Sequence, residues 1–423
     1  MKIQIFPKVA LCDEKLTILI SGLPPYGKVQ VSASTYLPWA KNVLYESFAW
    51  FTADSDGNVN LSKQKPDSGT YDFADSMGLI ISMKSRDANA IKKISQNISI
   101  DNNQLIDIVA QCGQDTESVT IERLYKSKDV KRERISDGFV GELFYTENTD
   151  HKTIVLLGGS GSNLAINSLI AAVLASRGFN VLSLPYFNEK GLPAKLAEIP
   201  LEYFEKVFTW LSNNPLTKCN EIRLLGQSKG AEIALILASR YHIIKKVVAI
   251  APHAYCFEGL NFKNVSSWTC QGKSLPFIPL KFYPAIKDAI GCMIKNKPFG
   301  LTHTHRKCVD IANNKEDARI KVENASADIL MFAGKQDGMW NSYDGCVVIM
   351  ENLKKHDYSF GKNLIVYENA GHPQLPVPYI IPVGENKMKL APRLVFSMGG
   401  TLEANLNANI DTWEKTIEFL KSS

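Results

Sequence analysis

No C-x-x-C pair occurs in this chain. Its eight cysteines, at 12, 112, 219, 256, 270, 292, 308 and 346, are scattered over 423 residues. Such spacing excludes a dense disulfide framework or a cysteine-built zinc site and fits free thiols in a reducing compartment. No apolar run approaches the roughly 20 residues that a membrane-crossing helix needs. The opening Met1-Lys-Ile-Gln-Ile-Phe-Pro-Lys8 lacks the basic-then-apolar profile of a secretory signal, and the closing Glu418-Phe-Leu-Lys-Ser-Ser423 is no Ser-Lys-Leu-like address. A cytoplasmic protein with no membrane span is expected. A long Lys/Arg block is missing too: 48 basic against 43 acidic residues leave +5, spread thinly. That surplus does not call for nucleic acid, and it permits acidic substrates without demanding them. With 45% hydrophobic and 22% charged residues, disorder, collagen and coiled coil are excluded. There is no internal repeat and no low-complexity tract.

What the chain does contain divides in two. At about 150 residues per domain, its length predicts two or three domains, or one large domain with an appendage. Residues 1 to 128 read as all-β. Short β-rich runs recur at Leu16–Ile20, Val29–Ala33, Phe48–Thr52, Ile80–Met83, Ile98–Ile100, Ile106–Ala110 and Val119–Arg123. Turn residues such as Gly22-Leu-Pro-Pro25 and Asp54-Ser-Asp-Gly57 separate them, a spacing that predicts a β-sandwich. Lys126–Ile135, with five cations against two acids, reads as a solvated link between domains. From Phe139 onward, within a second domain taken as 129–423, continuous apolar strands alternate with amphipathic helices. Thr153–Leu157, Val181–Leu184, Ile222–Leu225, Val247–Ile250, Ile329–Phe332 and Leu364–Tyr367 are the strands of a mostly parallel α/β sheet. Residues 255–326, rich in Lys, Pro and aromatics, interrupt the alternation and read as a lid-like insertion over the sheet's carboxyl edge.

The chemistry is concentrated at Gly226-Gln-Ser228-Lys-Gly230, set between the strand Ile222–Leu225 and a helix opening at Ala231. G-x-S-x-G in a strand–turn–helix context is the nucleophile elbow, whose glycines permit the tight turn that lifts the serine above the sheet. A hydroxyl needs a base to accept its proton, and in this fold acid and His follow the Ser on later strand ends. The strand Ile329–Ala333 runs into Asp337, and Leu364–Tyr367 runs into His372. Asp328 begins a strand, at the wrong edge, while Asp310 and Asp344 have no strand leading to them. His253 precedes the acid but could line a pocket; His303 and His305 form an HxH without a third ligand and read as surface residues. Gly158-Gly-Ser-Gly-Ser162 fails as a nucleotide loop, since Leu164 stands where G-x-G-x-x-G needs glycine. It suits the loop that supplies one oxyanion amide, from Ser160 or Gly161, with Lys229 supplying the other.

Taken together, these residues resemble the acyl-CoA thioesterase / bile acid-CoA:amino acid N-acyltransferase family over nearly the whole chain. The carriers are Ser47–Gly57, Gly69…Tyr71…Met77-Gly-Leu79, Leu184–Asn188, Pro200–Phe204, Gly226–Glu232 and Ala370–Pro373. Gly-x-Ser-Lys-Gly-Ala-Glu is the most specific of them. The resemblance implies an immunoglobulin-like β-sandwich followed by an α/β-hydrolase domain, with Ser228 as nucleophile, Asp337 as acid and His372 as base. It implies an acyl-CoA or acyl ester substrate, no metal and no cofactor, and leaves the oligomeric state open. Pro373 and the glycine pattern at 158–162 depart from the family, and 255–326 matches poorly. Conjugating members of the family look to carry Cys at the position of Ser228, so the serine implies thioester hydrolysis. The rivals are transfer of the acyl group to an amine, a carboxylesterase, and a catalytically silent binding protein on the same scaffold.

Overall fold

The computed structural model describes residues 1–87, 90, 98–147, 152–161, 163–217, 220–261, 263–373, 376–380 and 386–422. They fall into two compact units, Met1–Lys128 with Gln374–Glu385, and Asp129–Pro373 with Asn386–Ser423. The sequence reading runs the second domain unbroken to 423, whereas the stretch after Pro373 groups with the first unit, and there Val377, Tyr379 and Ile380 are buried.

In the first unit, alternating residues make strands with one buried face. The strands are β1 (Lys2–Phe6), β2 (Val9–Leu11), β3 (Thr17–Ser21), β4 (Lys28–Leu37), β5 (Ala40–Thr52), β6 (Val59–Asn60) and β7 (Ser68–Gly69). After the short helix α1 (Gly78–Ile81) come β8 (Gln104–Cys112) and β9 (Asp115–Leu124). They form a six-stranded sheet ordered β2-β9-β8-β4-β5-β7 and a three-stranded sheet β1-β3-β6. In β4, Val29, Val31 and Ala33 are buried while their neighbours are not; the partners Phe51, Ala49 and Ser47 on β5 point the same way. Two expected strands are absent. Ile80–Met83 overlaps α1, where the run Met77–Met83 is buried throughout. A short run buried on every side carries no period that separates helix from strand. Ile98–Ile100 is an irregular connection.

The second unit is built on an eight-stranded sheet. Its strands are β10 (Lys131–Ile135), β11 (Gly141–Tyr145), β12 (Lys152–Leu157), β13 (Phe179–Ser183), β15 (Ile222–Gln227), β16 (Ile244–Ile250), β19 (Asp328–Gly334) and β20 (Lys362–Tyr367). The order is β10-β11-β13-β12-β15-β16-β19-β20, antiparallel at β10–β11 and β11–β13 and parallel from there on. Of the charged segment read as a link, Lys131–Ile135 is the edge strand β10, exposed at its first four residues, while the boundary between the two units falls in its first half, between Lys128 and Asp129. Lysine and arginine on an edge strand discourage further strand pairing.

Helices α2 (Leu164–Ser176), α3 (Glu202–Asn213), α4 (Lys229–Ala238), α5 (Phe282–Ile294), α6 (Thr302–Ile311), α7 (Lys315–Ala318), α8 (Ser342–Lys355) and α9 (Leu402–Lys421) complete the unit with small β pieces. These are a sheet of β14 (Ile199–Pro200), β17 (Trp268–Cys270) and β18 (Lys273–Ser274), and a hairpin of β21 (Lys387–Ala391) and β22 (Leu394–Ser397). Asn163 caps α2 by accepting from Ile166 N–H at 2.9 Å. All of α4 is buried, as expected of the helix that follows the central strand. Residues 255–326 are less detachable than a lid. Trp268, Ile278, Cys308, Ile320 and Val322 belong to the same hydrophobic core as β12, β15 and α4. Among the described residues no helix is long and apolar enough to cross a membrane.

Candidate active site

Strand β15 ends at Gln227 and α4 begins at Lys229, so the chain must reverse at one residue, Ser228, which takes φ +55° and ψ −119°. Such a non-glycine conformation costs on the order of 1–3 kcal/mol and persists only when its surroundings enforce it. They do so here: Ser228 N–H donates to Ile250 O at 2.8 Å, and its carbonyl accepts from Ala231 and Glu232 N–H at 2.9 and 3.0 Å. Neither flanking glycine has room for a side chain. A Cβ on Gly226 would collide with the backbone of Gly230, and one on Gly230 would collide with Leu157 O and lie 2.6 Å from Gly158 O.

Asp337 follows β19 and is 5% exposed; His372 follows β20 and is 6% exposed. Adjacent parallel strands bring these loops together, and His372 Nδ1 lies 2.9 Å from Asp337 Oδ2. Since a carboxylate only accepts, Nδ1 carries the proton and Nε2 keeps its lone pair. Every remaining lone-pair direction of the carboxylate is occupied. Ser342 Oγ donates to Oδ2 at 2.6 Å, and Met339 and Trp340 N–H donate to Oδ1 at 2.9 and 3.2 Å. The histidine loop is tied by His372 N–H to Met398 O at 2.7 Å and by Gly371 N–H to Asn405 Oδ1 at 2.8 Å. A further tie joins it to the elbow: Gln227 Nε2 donates to Pro373 O at 2.6 Å. The residue before Ser228 thus holds the residue after His372.

The loop following β12 approaches the same point. A Cβ on Gly159 would lie 3.3 Å from Ser228 Cβ and 3.9 Å from its Oγ, whereas one on Gly161 would meet nothing within 4 Å. Ser160 and Gly161 are exposed, so Gly159 is the residue of this loop seen against the serine. Tyr186 Oη donates to Gly158 O at 2.5 Å, and its ring packs on Trp268 at 5.6 Å. Trp268 Nε1 in turn donates to Glu232 Oε1 at 2.7 Å, where Lys229 Nζ also lies, at 2.5 Å. Burial pushes the Glu232 carboxyl up, and the Lys229 ammonium opposes it. This buried network braces both the loop after β12 and the first turn of α4.

Two histidines differ from their sequence reading. His253 engages both ring nitrogens, Nε2 with Asn341 Oδ1 at 3.2 Å and Nδ1 with Tyr255 N–H at 3.3 Å. Burial pushes it down to about 3, so it is a neutral structural group and not a base. His303 and His305 do not share a fate. His303 is a surface partner of Asp288 at 2.6 Å, while His305 turns inward. Its ring meets Phe257 at 5.3 Å and Trp340 at 6.1 Å, and burial pushes it down to about 4. Residues i and i+2 of a helix lie about 200° apart, so one member of an HxH on a half-buried helix must face in. Among the described residues no three His, Cys, Asp or Glu side chains gather as metal ligands. The sequence missed Gln227, Ser342 and the Tyr186–Trp268–Glu232 brace. Only Gln227, a polar residue at the end of an apolar strand, left a signal.

Residues 13–137 match the family model described as acyl-CoA thioester hydrolase/BAAT N-terminal region, and 199–423 match BAAT / acyl-CoA thioester hydrolase C terminal. Bile acid-CoA:amino acid N-acyltransferase of Mus musculus is 29% identical over 99% of this chain and 97% of its own. Acyl-coenzyme A amino acid N-acyltransferase 2 of Rattus norvegicus is 30% identical over 98% of this chain and 96% of its own. Acyl-coenzyme A thioesterase 6 of Mus musculus is 27% identical, over 97% and 93%. Among solved structures, esterase B of Lactobacillus rhamnosis superposes with a TM-score of 0.40 at 11% identity, covering 70% of this chain and 87% of that one.

Proposed function

The chain belongs to the family of acyl-CoA thioester hydrolases and bile acid-CoA:amino acid N-acyltransferases, and within it we propose hydrolysis of an acyl-CoA thioester through an acyl-serine at Ser228. The observation that carries this reading is the buried His372–Asp337 contact of 2.9 Å, on a loop bonded through Pro373 O to Gln227, the residue before the strained Ser228. His372 Nε2 takes the hydroxyl proton as Ser228 Oγ attacks the thioester carbon. The tetrahedral oxyanion is met by the amide of Lys229 and one from the 158–161 loop, each donor lowering the barrier by about 3–4 kcal/mol. The carbon–sulfur bond breaks, His372 returns the proton to the thiolate, and coenzyme A leaves. Water then attacks the ester with His372 again as base, releasing the acid and restoring the serine. Asp337 fixes the ring's tautomer and stabilises the imidazolium without taking the proton.

Hydrolysis is favoured over transfer by the chemistry of the intermediate. An acyl-serine is an oxygen ester, less activated toward amines than the thioester an acyl-cysteine would be, so water at high concentration resolves it. The test is product analysis by mass spectrometry with acyl-CoA and isotopically labelled glycine. Free acid as main product, unchanged by glycine, is expected. Acyl-glycine as major product would place this chain with the transferases despite its serine. The same reading takes the first unit as an immunoglobulin-like sandwich, supported by its six- and three-stranded sheets. It takes the cytoplasm as location, supported by the scattered free thiols.

A further inference from the structure

One helix displays an uncovered apolar stripe. On α5, Tyr283 is 76% exposed, Ile286 58%, Ile290 49%, Met293 37% and Ile294 77%. At about 100° per residue these positions fall within a single stripe about 100° wide. The opposite side of the helix is engaged with the protein: Ala285 is buried, and Asp288 pairs with His303 of α6. The stripe is rimmed by charge of one sign. Lys281, Lys287, Lys295 and Lys297 are all exposed, and Asp288 is the one acid between 281 and 297. Hairpin strand β22 packs against α5, with Phe299 and Phe396 rings 5.5 Å apart and Phe299 N–H on Val395 O at 2.9 Å. Its partner strand β21 carries the same chemistry, the exposed run Lys387-Met-Lys-Leu390.

An apolar stripe with a lysine rim has the composition of a helix that lies in a lipid interface. A second copy of this chain fits it poorly. A two-fold contact is self-complementary, so it would set the same lysine rims against each other. An anionic headgroup layer meets both needs, with acyl chains for the isoleucines and phosphate or carboxylate for the ammonium groups. We propose that α5 and the β21–β22 hairpin form a docking surface for anionic membranes, with the helix in the headgroup plane and Tyr283, Ile286, Ile290 and Ile294 inserted. The chain leaving α5 reaches Leu301, whose N–H donates to Gly338 O at 2.7 Å beside Asp337. The docking segment is therefore tied to the acid loop, although the proposal does not depend on the catalytic reading.

The experiment is vesicle flotation of the full chain on phosphatidylcholine alone and on phosphatidylcholine with phosphatidylserine. The wild type is expected to float with the anionic vesicles and to be released by salt. Ile290→Glu/Ile294→Glu should weaken partitioning by about tenfold or more. Each lysine near an anionic surface contributes about fivefold, so Lys287→Gln/Lys295→Gln should lose about 25-fold on anionic vesicles and nothing on neutral ones. Both variants should keep wild-type melting temperature and wild-type turnover of a water-soluble p-nitrophenyl ester. Failure of the wild type to bind, or variants that bind as it does, overturns the proposal. A wild-type dimer in sedimentation, dissolved by Ile290→Glu/Ile294→Glu and without lipid binding, assigns the stripe to a second copy and overturns it equally.

Discussion

Replacing Gln227 by leucine removes the bond that ties the elbow to the histidine loop, at similar side-chain volume. The bond is 2.6 Å long, neutral and half-buried. Such a bond contributes about 1 kcal/mol net, rising to about 3 when the abandoned partner is left dry. Water can reach a half-buried carbonyl at Pro373, so the lower figure applies. About 1 kcal/mol expressed in the transition state is roughly a fivefold loss of rate. Two other ties of His372 remain, to Met398 O at 2.7 Å and to Asp337 at 2.9 Å, so the ring is loosened and not released. A fall in kcat of about five- to tenfold is expected, with KM unchanged, because on the proposed mechanism the bond sets the histidine loop against the elbow and touches no substrate. The melting temperature should fall by only about 2–4 °C for a unit of this size. Gln227→Glu should be worse at neutral pH, since it sets a charged acceptor against a carbonyl. Steady-state kinetics with an acyl-CoA and a p-nitrophenyl ester, beside thermal melts, measure both effects. An unchanged kcat in the leucine variant, or a loss near a thousandfold with a collapse in melting temperature, would refute the reasoning.

Asp337→Asn should keep the fold and lower kcat by about 10⁴, because an amide turned toward Nδ1 selects the wrong tautomer; a loss under tenfold would remove Asp337 from the acid role. Glu232→Leu should destabilise by about 3–5 kcal/mol in urea unfolding, since it strands the buried Lys229 ammonium, and Lys229→Met/Glu232→Leu should recover part of that loss. His305 is held down to about 4 from its ordinary 6.5, so the folded state favours its neutral form. Its contribution is present above pH 6.5 and is lost as pH falls toward 4, so His305→Gln should flatten the decline of melting temperature across that window. Gly230→Ala should yield little folded protein, because its Cβ would meet the carbonyls of Leu157 and Gly158, neither of which can yield independently; a soluble variant with wild-type melting would contradict the tight-elbow account.

The parts of this molecule that were legible in its sequence are those written in a local pattern. Continuous apolar runs bounded by turn residues located β12, β15, β16 and β19, since strands buried on both faces need no alternation, and the apolar run Leu364–Tyr367 located the partly exposed edge strand β20 as well. The elbow was legible because its glycines answer a local steric demand, and Asp337 and His372 were legible because each closes a strand. Less legible were the features set by tertiary partners. Lys131–Ile135 has a charge pattern that suits both linker and edge strand, and only its pairing with Gly141–Tyr145 decides between them. The run at 80–83 is buried on all sides and so carries no period. Trp268, far from the elbow in sequence, reaches Glu232 only through the fold of 255–326, which no local signal encodes.

The central claim is that acyl transfer to Ser228 precedes release of the acid. It is tested most directly by mixing enzyme with an acyl-CoA, quenching within one turnover and mapping the peptides by mass spectrometry. The account predicts an added acyl group on the peptide containing Ser228, formed as free thiol appears, and neither adduct nor thiol above background in Ser228→Ala. An adduct on another residue, or release of coenzyme A by Ser228→Ala at more than about a tenth of the wild-type rate, would contradict it.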